Sequence, residues 1–339
     1  MEQQYDYTQA QALLSPPDVR DYKGVATVSA DALPDEFELK ICPIKSQGSV
    51  GSCVAHAICS CVEYFNEKEA DKFEKMSTGY IYGNRTTQSW KGVGMYVNGA
   101  LSAVRHCGTT KASDWDVNVE VPDAITKFEE ARKTYANQAY ENRITKYYRL
   151  YNKDAMKASL YQGNPVVFVL VFREDMKIEN GVWIVNEKSK KTGGSHCMYI
   201  YGWNKTGWKV ANSWGNKWGT KGTIILPYET KISEAWGLED TYDSEKSDAY
   251  IEMLKQQLQK LRVEYNSLRM IHGDNPNAEG QKLIADVEKR MEAIDLEIQK
   301  EQKKLVKIKT PFTKVAGPVI DVMNAIALML WNLFGGGKK

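Results

Sequence analysis

The chain has no excess charge of either sign. Its 45 lysines and arginines stand against 43 aspartates and glutamates, a net +2 over 339 residues. Without a strong field, nucleic acid is not an expected partner. The opening MEQQYDYTQA is polar and acidic, with no basic flank leading into an apolar run, so a secretory signal is not expected. None of the six cysteines, at 42, 53, 59, 61, 107 and 197, falls in a CxxC pair, and no Cys/His set has zinc spacing, so neither a metal nor another cofactor is predicted. Reduced thiols and a cytoplasmic location follow as the default. Histidine is scarce as well: His56, His106, His196 and His272 are the whole supply for imidazole chemistry.

What remains is ordinary globular composition, 42% hydrophobic and 26% charged, with length for more than one domain. Residues 33–243 mix Gly, Trp and Tyr with short apolar runs. Segment 52–66 reads as a helix after a Gly-rich turn, and 98–107 as another. PVVFVLVF at 165–172 reads as a buried strand, with further strands at 182–186, 197–203, 207–212 and 222–227. Helices first and strands later predict an α+β domain, preceded by an extension over 1–32.

From Ser244 the texture changes. Apolar residues recur every three or four positions from Tyr250 to Ile271 and again from Leu283 to Ile308, around the turn cluster HGDNPNAEG. This predicts a helical hairpin over 244–309. The tail, 310–339, holds an apolar stretch at 319–334, short of the ~20 clean residues of a spanning helix. Two readings of it stay open. It packs on protein, in a homo-oligomer or larger assembly, or it inserts into a membrane surface with Lys338 and Lys339 at the headgroups.

One short stretch, IKSQGSVGSCVAHA, carries the chemistry. A thiol attacks a carbonyl as its thiolate, and a free cysteine titrates near ~8.5, so the anion needs support. Cys53 stands where a Gly-rich turn meets a helix, whose N-terminal dipole supplies part of it. A neighbouring imidazole supplies the rest. His196, in GGSHCMYIYGWN, opens a strand-like run, and Asn212 follows 16 residues later, in VANSWG. Adjacent strands would set the two side by side, the amide oxygen aiming the imidazole at the thiol.

Gln47-Gly48-Ser49-Val50-Gly51-Ser52-Cys53 resembles the nucleophile segment of the papain-like (C1 family) cysteine peptidases. Asn212-Ser213-Trp214-Gly215, with Trp218-Gly219 and Gly222, resembles that family's Asn motif, and LPDEFELK at 33–40 the start of its mature domain. The Cys53-to-His196 interval, 196 − 53 = 143 residues, lies inside the family's ~130–150. The resemblance covers roughly residues 33–228 and implies a two-lobed fold, one helical lobe and one β-rich. It implies a thiol-dependent endopeptidase acting on protein or peptide substrates. Cys53 is then the nucleophile, His196 the base and acid, Asn212 its orienter and Gln47 an oxyanion donor. Trp214 would cover the His–Asn hydrogen bond, and Gly94 would fall where substrate backbone pairs. His56, Cys59 and Cys61 read as packing residues.

The chain also departs from the family. Val50 and Val54 replace the disulfide cysteine and the tryptophan of many relatives. About 32 residues precede the mature-like start, too few for the long helical pro-segment of secreted members, so inhibition by a cleaved prodomain is not expected. SPPDVRDY, EYF and STGYIYGNR look more like the prodomain-poor members of bacteria and phages. Attachment through 244–339 to a phage particle or a membrane is the expected role of the C-terminal part. The alternatives are a peptidoglycan-directed amidase or endopeptidase and a catalytically silent structural component.

Overall fold

In the computed structural model of the chain, the residues described are 11–16, 23–24, 33–85, 94–117, 123–240, 244–273 and 276–309. The chain divides into two compact units, Met1–Tyr242 and Asp243–Lys339.

The first unit runs β1 (Ala12–Leu13), β2 (Phe37–Glu38), α1 (Cys53–Ala70), α2 (Thr78–Gly83), β3 (Met95–Tyr96), α3 (Val97–Cys107), α4 (Asp123–Glu141), β4 (Lys146–Leu150), α5 (Lys153–Tyr161), β5 (Val166–Arg173), β6 (Lys177–Glu179), β7 (Val182–Ile184), β8 (Lys191–Trp203), β9 (Gly207–Ala211), β10 (Thr223–Pro227) and β11 (Glu234–Glu239). Among the described residues one sheet takes the order β4-β11-β5-β8-β9-β10-β7-β6, with β2 added on β8. Its middle strand β5 is covered on both faces, which is why the sequence there is a continuous apolar run and not an alternation.

The period of two in β5 and β8 builds two cores. Val167, Val169, Cys197 and Tyr199 face the helices and pack with Val54, Ile58, Val62 and Leu101. Val166, Phe168, Leu170, Met198 and Ile200 face the other way and pack with Trp183, Trp203, Trp208 and Trp218. A helical lobe and a β-rich lobe therefore share one sheet, the α+β, two-lobed arrangement expected.

Helix α1 lies at the centre of the helical lobe. Every residue from Cys53 to Glu63 is buried, so the helix is apolar almost all round and shows little of the one-sided stripe of a surface helix. Glu63 has no exposed surface and meets Lys45, itself nearly enclosed, as an ion pair. The helix stops at Asp71, in the left-handed conformation at φ 52°.

The second unit is a pair of helices, α6 (Ser244–His272) and α7 (Ala278–Lys309). Ile251, Leu254, Leu258 and Leu261 on α6 and Ile284, Val287 and Ile298 on α7 are buried, and Arg290 reaches back to Glu264 at 3.4 Å. The two helices close into a hairpin at Gly273 and Pro276; the stripes expected from the sequence hold at Ile251, Leu254, Leu258, Leu261, Val287 and Ile298, but their ends Ile271 and Leu283 are exposed and Ile284 is buried instead. Among the described residues no helix is long and apolar enough to cross a membrane. The stretch 319–334 lies outside them.

Candidate active site

Cys53 is the first residue of α1. Its N-cap, Ser52, gives the helix no side-chain cap; the Ser52 hydroxyl instead meets His56 Nδ1 at 3.2 Å. The orphan N–H groups of the first turn are thereby left to the thiol. Burial pushes the Cys53 thiol up from its ordinary range, and backbone groups of Cys197, Gln11, Val54 and Cys53 itself pull it down. A backbone group that favours a thiolate is an N–H donor.

His196 sits within β8, paired across to Leu170 on β5. Asn212 follows the last residue of β9, whose register puts Ala211 opposite Tyr199. The hairpin brings Asn212 Oδ1 to 2.6 Å from His196 Nε2. The same oxygen accepts the Ser213 N–H at 2.7 Å, which fixes it as the acceptor end of the amide. Nε2 must then carry the proton and donate it. In the neutral ring Nδ1 is left with its lone pair, and Nδ1 is buried without a hydrogen-bond partner. This is the tautomer of a base. Trp214 stacks on the imidazole at 4.5 Å and Phe172 at 5.6 Å, so the His196–Asn212 bond is shielded from water. Burial lowers the His196 pKa to about 4, against the support of Asn212. In this state thiol and imidazole are both neutral, and Cys53 and His196 have no exposed surface.

Gln47 is delivered by a loop laced to the Asn segment. Gln47 N–H donates to Ser213 O at 2.9 Å and Gly215 N–H to Lys45 O at 2.9 Å, with an antiparallel bridge from Ser46 to Trp214. The Gln47 amide is held at both ends: Ser213 Oγ donates to its oxygen at 2.6 Å, and its nitrogen donates to Val50 O at 2.7 Å. Gly94 takes φ +94°, and the carbonyl oxygen of Gln11 lies 1.8 Å from where a β carbon would stand.

The structure thus places Gln47, His196, Asn212 and Trp214 in one network and sets Cys53 against the backbone of Cys197, next to His196. His56 is turned away, bonded to Ser52 O at 3.0 Å. Cys59 and Cys61 are buried. Among the described residues no group of three or more His, Cys, Asp or Glu comes together as a metal site.

Three features were missed in the sequence. Ser213 was read only as part of a motif, yet it orients Gln47. Phe172 lay inside an apolar run with nothing to mark its ring contact with His196. The third is the placement of residues 11–13: Gln11 bridges Ser195, the residue before His196, and Ala12 and Leu13 pair with Met95 and Tyr96.

The family model described as papain family cysteine protease matches residues 31–243. An uncharacterized peptidase C1-like protein of Acanthamoeba polyphaga mimivirus is 24% identical over 216 residues, 58% of this chain and 70% of that protein. A cysteine proteinase of Theileria parva is 24% identical over 202 residues, 58% of this chain but only 43% of that longer protein. Among solved structures, digestive procathepsin L 3 of Tenebrio molitor larval midgut shares the fold with a TM-score of 0.54 at 15% identity, covering 69% of this chain and 77% of its own. Procathepsin B S9 of Trypanosoma congolense does so at 0.52 and 15%, covering 69% and 86%.

Proposed function

The chain belongs to the papain family of cysteine proteases, and from that premise we propose that it hydrolyses peptide bonds through Cys53, His196, Asn212 and Gln47. It is a cysteine-type peptidase, and its family implies protein substrates. The reading of the site rests on one observation above the others: His196 gives Nε2–H to Asn212 at 2.6 Å and keeps an unpartnered Nδ1.

The steps follow from the groups present. Nδ1 takes the Cys53 proton, and the thiolate attacks the substrate carbonyl carbon. The oxyanion accepts hydrogen bonds from the Cys53 N–H and the Gln47 side-chain amide. Collapse breaks the C–N bond, and His196 returns its proton to the leaving amine. Water, deprotonated by His196, then releases the acyl group from sulfur. Asn212 keeps the ring in one tautomer throughout, and Trp214 keeps water off that bond.

Casein and peptide hydrolysis by the folded chain test this. Cys53→Ser is expected to abolish turnover, and His196→Ala to lower it about a thousandfold or more. Hydrolysis surviving in Cys53→Ser would sink the assignment. Isolated cell walls as substrate, run beside casein, separate a peptidoglycan cross-link from a protein backbone.

The hairpin extends the reading. Val263, Met270, Ile271, Leu283 and Leu296 are exposed on it, and we read them as the surface that attaches the peptidase to a larger assembly. Met270→Glu with Ile271→Glu is expected to lower the mass in light scattering. An unchanged mass would remove this part.

A further inference from the structure

A small cavity lies beside the site, among Lys45, His56, Ala57, Ser60, Asn212 and Ser213. Its volume is about 10 Å³. That is room for one water and for nothing larger, and a buried water also needs two to four polar partners.

The walls offer a donor and an acceptor. Asn212 spends its oxygen twice, on His196 Nε2 and on the Ser213 N–H. Its nitrogen, Nδ2, is buried with no hydrogen-bond partner among the described residues, an arrangement that is costly for an amide donor. Across the cavity stands His56, 5% exposed. Its Nδ1 lies 3.0 Å from Ser52 O. A carbonyl oxygen can only accept, so Nδ1 carries the proton and Nε2 keeps its lone pair. Burial holds this ring neutral, its pKa lowered to about 4. Ser60 Oγ is engaged twice already, donating to His56 O at 3.1 Å and accepting from Lys45 at 3.3 Å. The uncommitted acceptor is therefore His56 Nε2.

We propose that this cavity is a binding site for one structural water, which accepts the Asn212 Nδ2–H and donates to His56 Nε2, and that His56 is thereby a positioning residue for Asn212. The inference rests on the reading of Asn212 as the group that orients His196. The amide is then held at both ends, its oxygen by the Ser213 N–H and its nitrogen by the water. A turned-over amide would set a donor against His196 Nε2–H and favour the other tautomer, with the proton on Nδ1 and no base for the thiol. Because His56 and Cys53 share helix α1, the same water ties the thiol's helix to the Asn segment.

The test uses the full chain with ¹⁵N in its asparagine side chains. A cross-peak from a long-lived water to the Asn212 Nδ2 hydrogens is expected in wild type, assigned by its loss in Asn212→Asp. His56→Gln and His56→Leu both give up the Nδ1–H bond to Ser52 O, but only glutamine brings an acceptor to the place of Nε2. His56→Gln should keep the cross-peak and most of kcat. His56→Leu should lose the cross-peak and about tenfold in kcat, with KM unchanged. No cross-peak in wild type, or equal kcat in the two variants, would overturn the proposal. If His56→Leu does not fold, Ala57→Thr and Ala57→Val decide. They have one shape and fill the cavity alike, but only threonine carries a hydroxyl that can replace the water; equal kcat in these two would overturn it as well. A cross-peak that His56→Leu abolishes, in a chain that hydrolyses no peptide, keeps the water site and removes the peptidase reading. Hydrolysis with no cross-peak removes the water site and keeps the peptidase.

Discussion

Replacing Lys45 with methionine probes the support beneath the site. Its ammonium pairs with Glu63 and donates to Ser60 Oγ at 3.3 Å, with 9% of the lysine side chain and none of the glutamate exposed. Glu63 Oε1 also accepts the Met76 N–H at 2.9 Å. Lys45→Met keeps the length of the side chain and leaves a buried carboxylate with no cation, a change that destabilises by about 3–5 kcal/mol. That is a large part of the ~5–15 kcal/mol that holds a domain folded. Adding Glu63→Gln removes the orphaned charge while keeping an oxygen for Met76, so the double variant should recover at least ~2 kcal/mol. The pH sign is set by burial, which raises the Glu63 pKa, while Lys45 and the Met76 N–H oppose it. With Lys45 gone, the folded state holds a proton on Glu63 that the unfolded chain releases. Folded Lys45→Met then gains stability as pH falls through that raised pKa. Urea unfolding at pH 7 and pH 5 measures this, with the loss expected to be smaller at pH 5. A loss under about 1 kcal/mol, equal at the two pH values, would refute the reasoning. Because Lys45 O and Gln47 N both bond the Asn segment, the same variant should lower kcat.

Ser213→Ala frees the Gln47 amide held at 2.6 Å; kcat should fall about tenfold with KM unchanged, and a pure KM effect would remove Ser213 as a positioning residue. His56 and His196 are buried with pKa values lowered to about 4 from an ordinary 6.5. The folded state therefore binds fewer protons than the unfolded one, and stability should fall as pH drops from about 6.5 toward 4, by about 2 kcal/mol per ring at pH 5. His196→Gln should flatten that slope, and an unaltered slope would mean that the ring is charged in the folded chain.

Much of this was legible because the signals are local. The buried strand at 165–172 shows in its continuous β-branched run, and the hairpin in two stripes of apolar residues. Gln47, Cys53, His196 and Asn212 were read from motifs that resemble those of the papain-like peptidases, with glycines and tryptophans at fixed offsets, and the fold brings Gln47, His196 and Asn212 into one hydrogen-bonded network. The rest depends on contacts far apart in sequence. Ser213 acts across 166 residues on Gln47, and Ser15 across 219 on Glu234. A strand of two paired residues such as Ala12–Leu13 has no period to read, and QALLS carries no turn or charge signature. Its binding is mainly through backbone, which sequence does not display. Strand β11, carrying Glu234, was missed because its alternation is broken by Gly237 in SEAWGLED.

The account turns on whether Cys53 carries the acyl group. The chain would be mixed with a peptide ester, quenched in acid during turnover, and its mass taken before and after digestion. One added acyl group is expected, on Cys53, and none when His196 is alanine. Turnover with no adduct on Cys53, or an adduct on another residue, would contradict it.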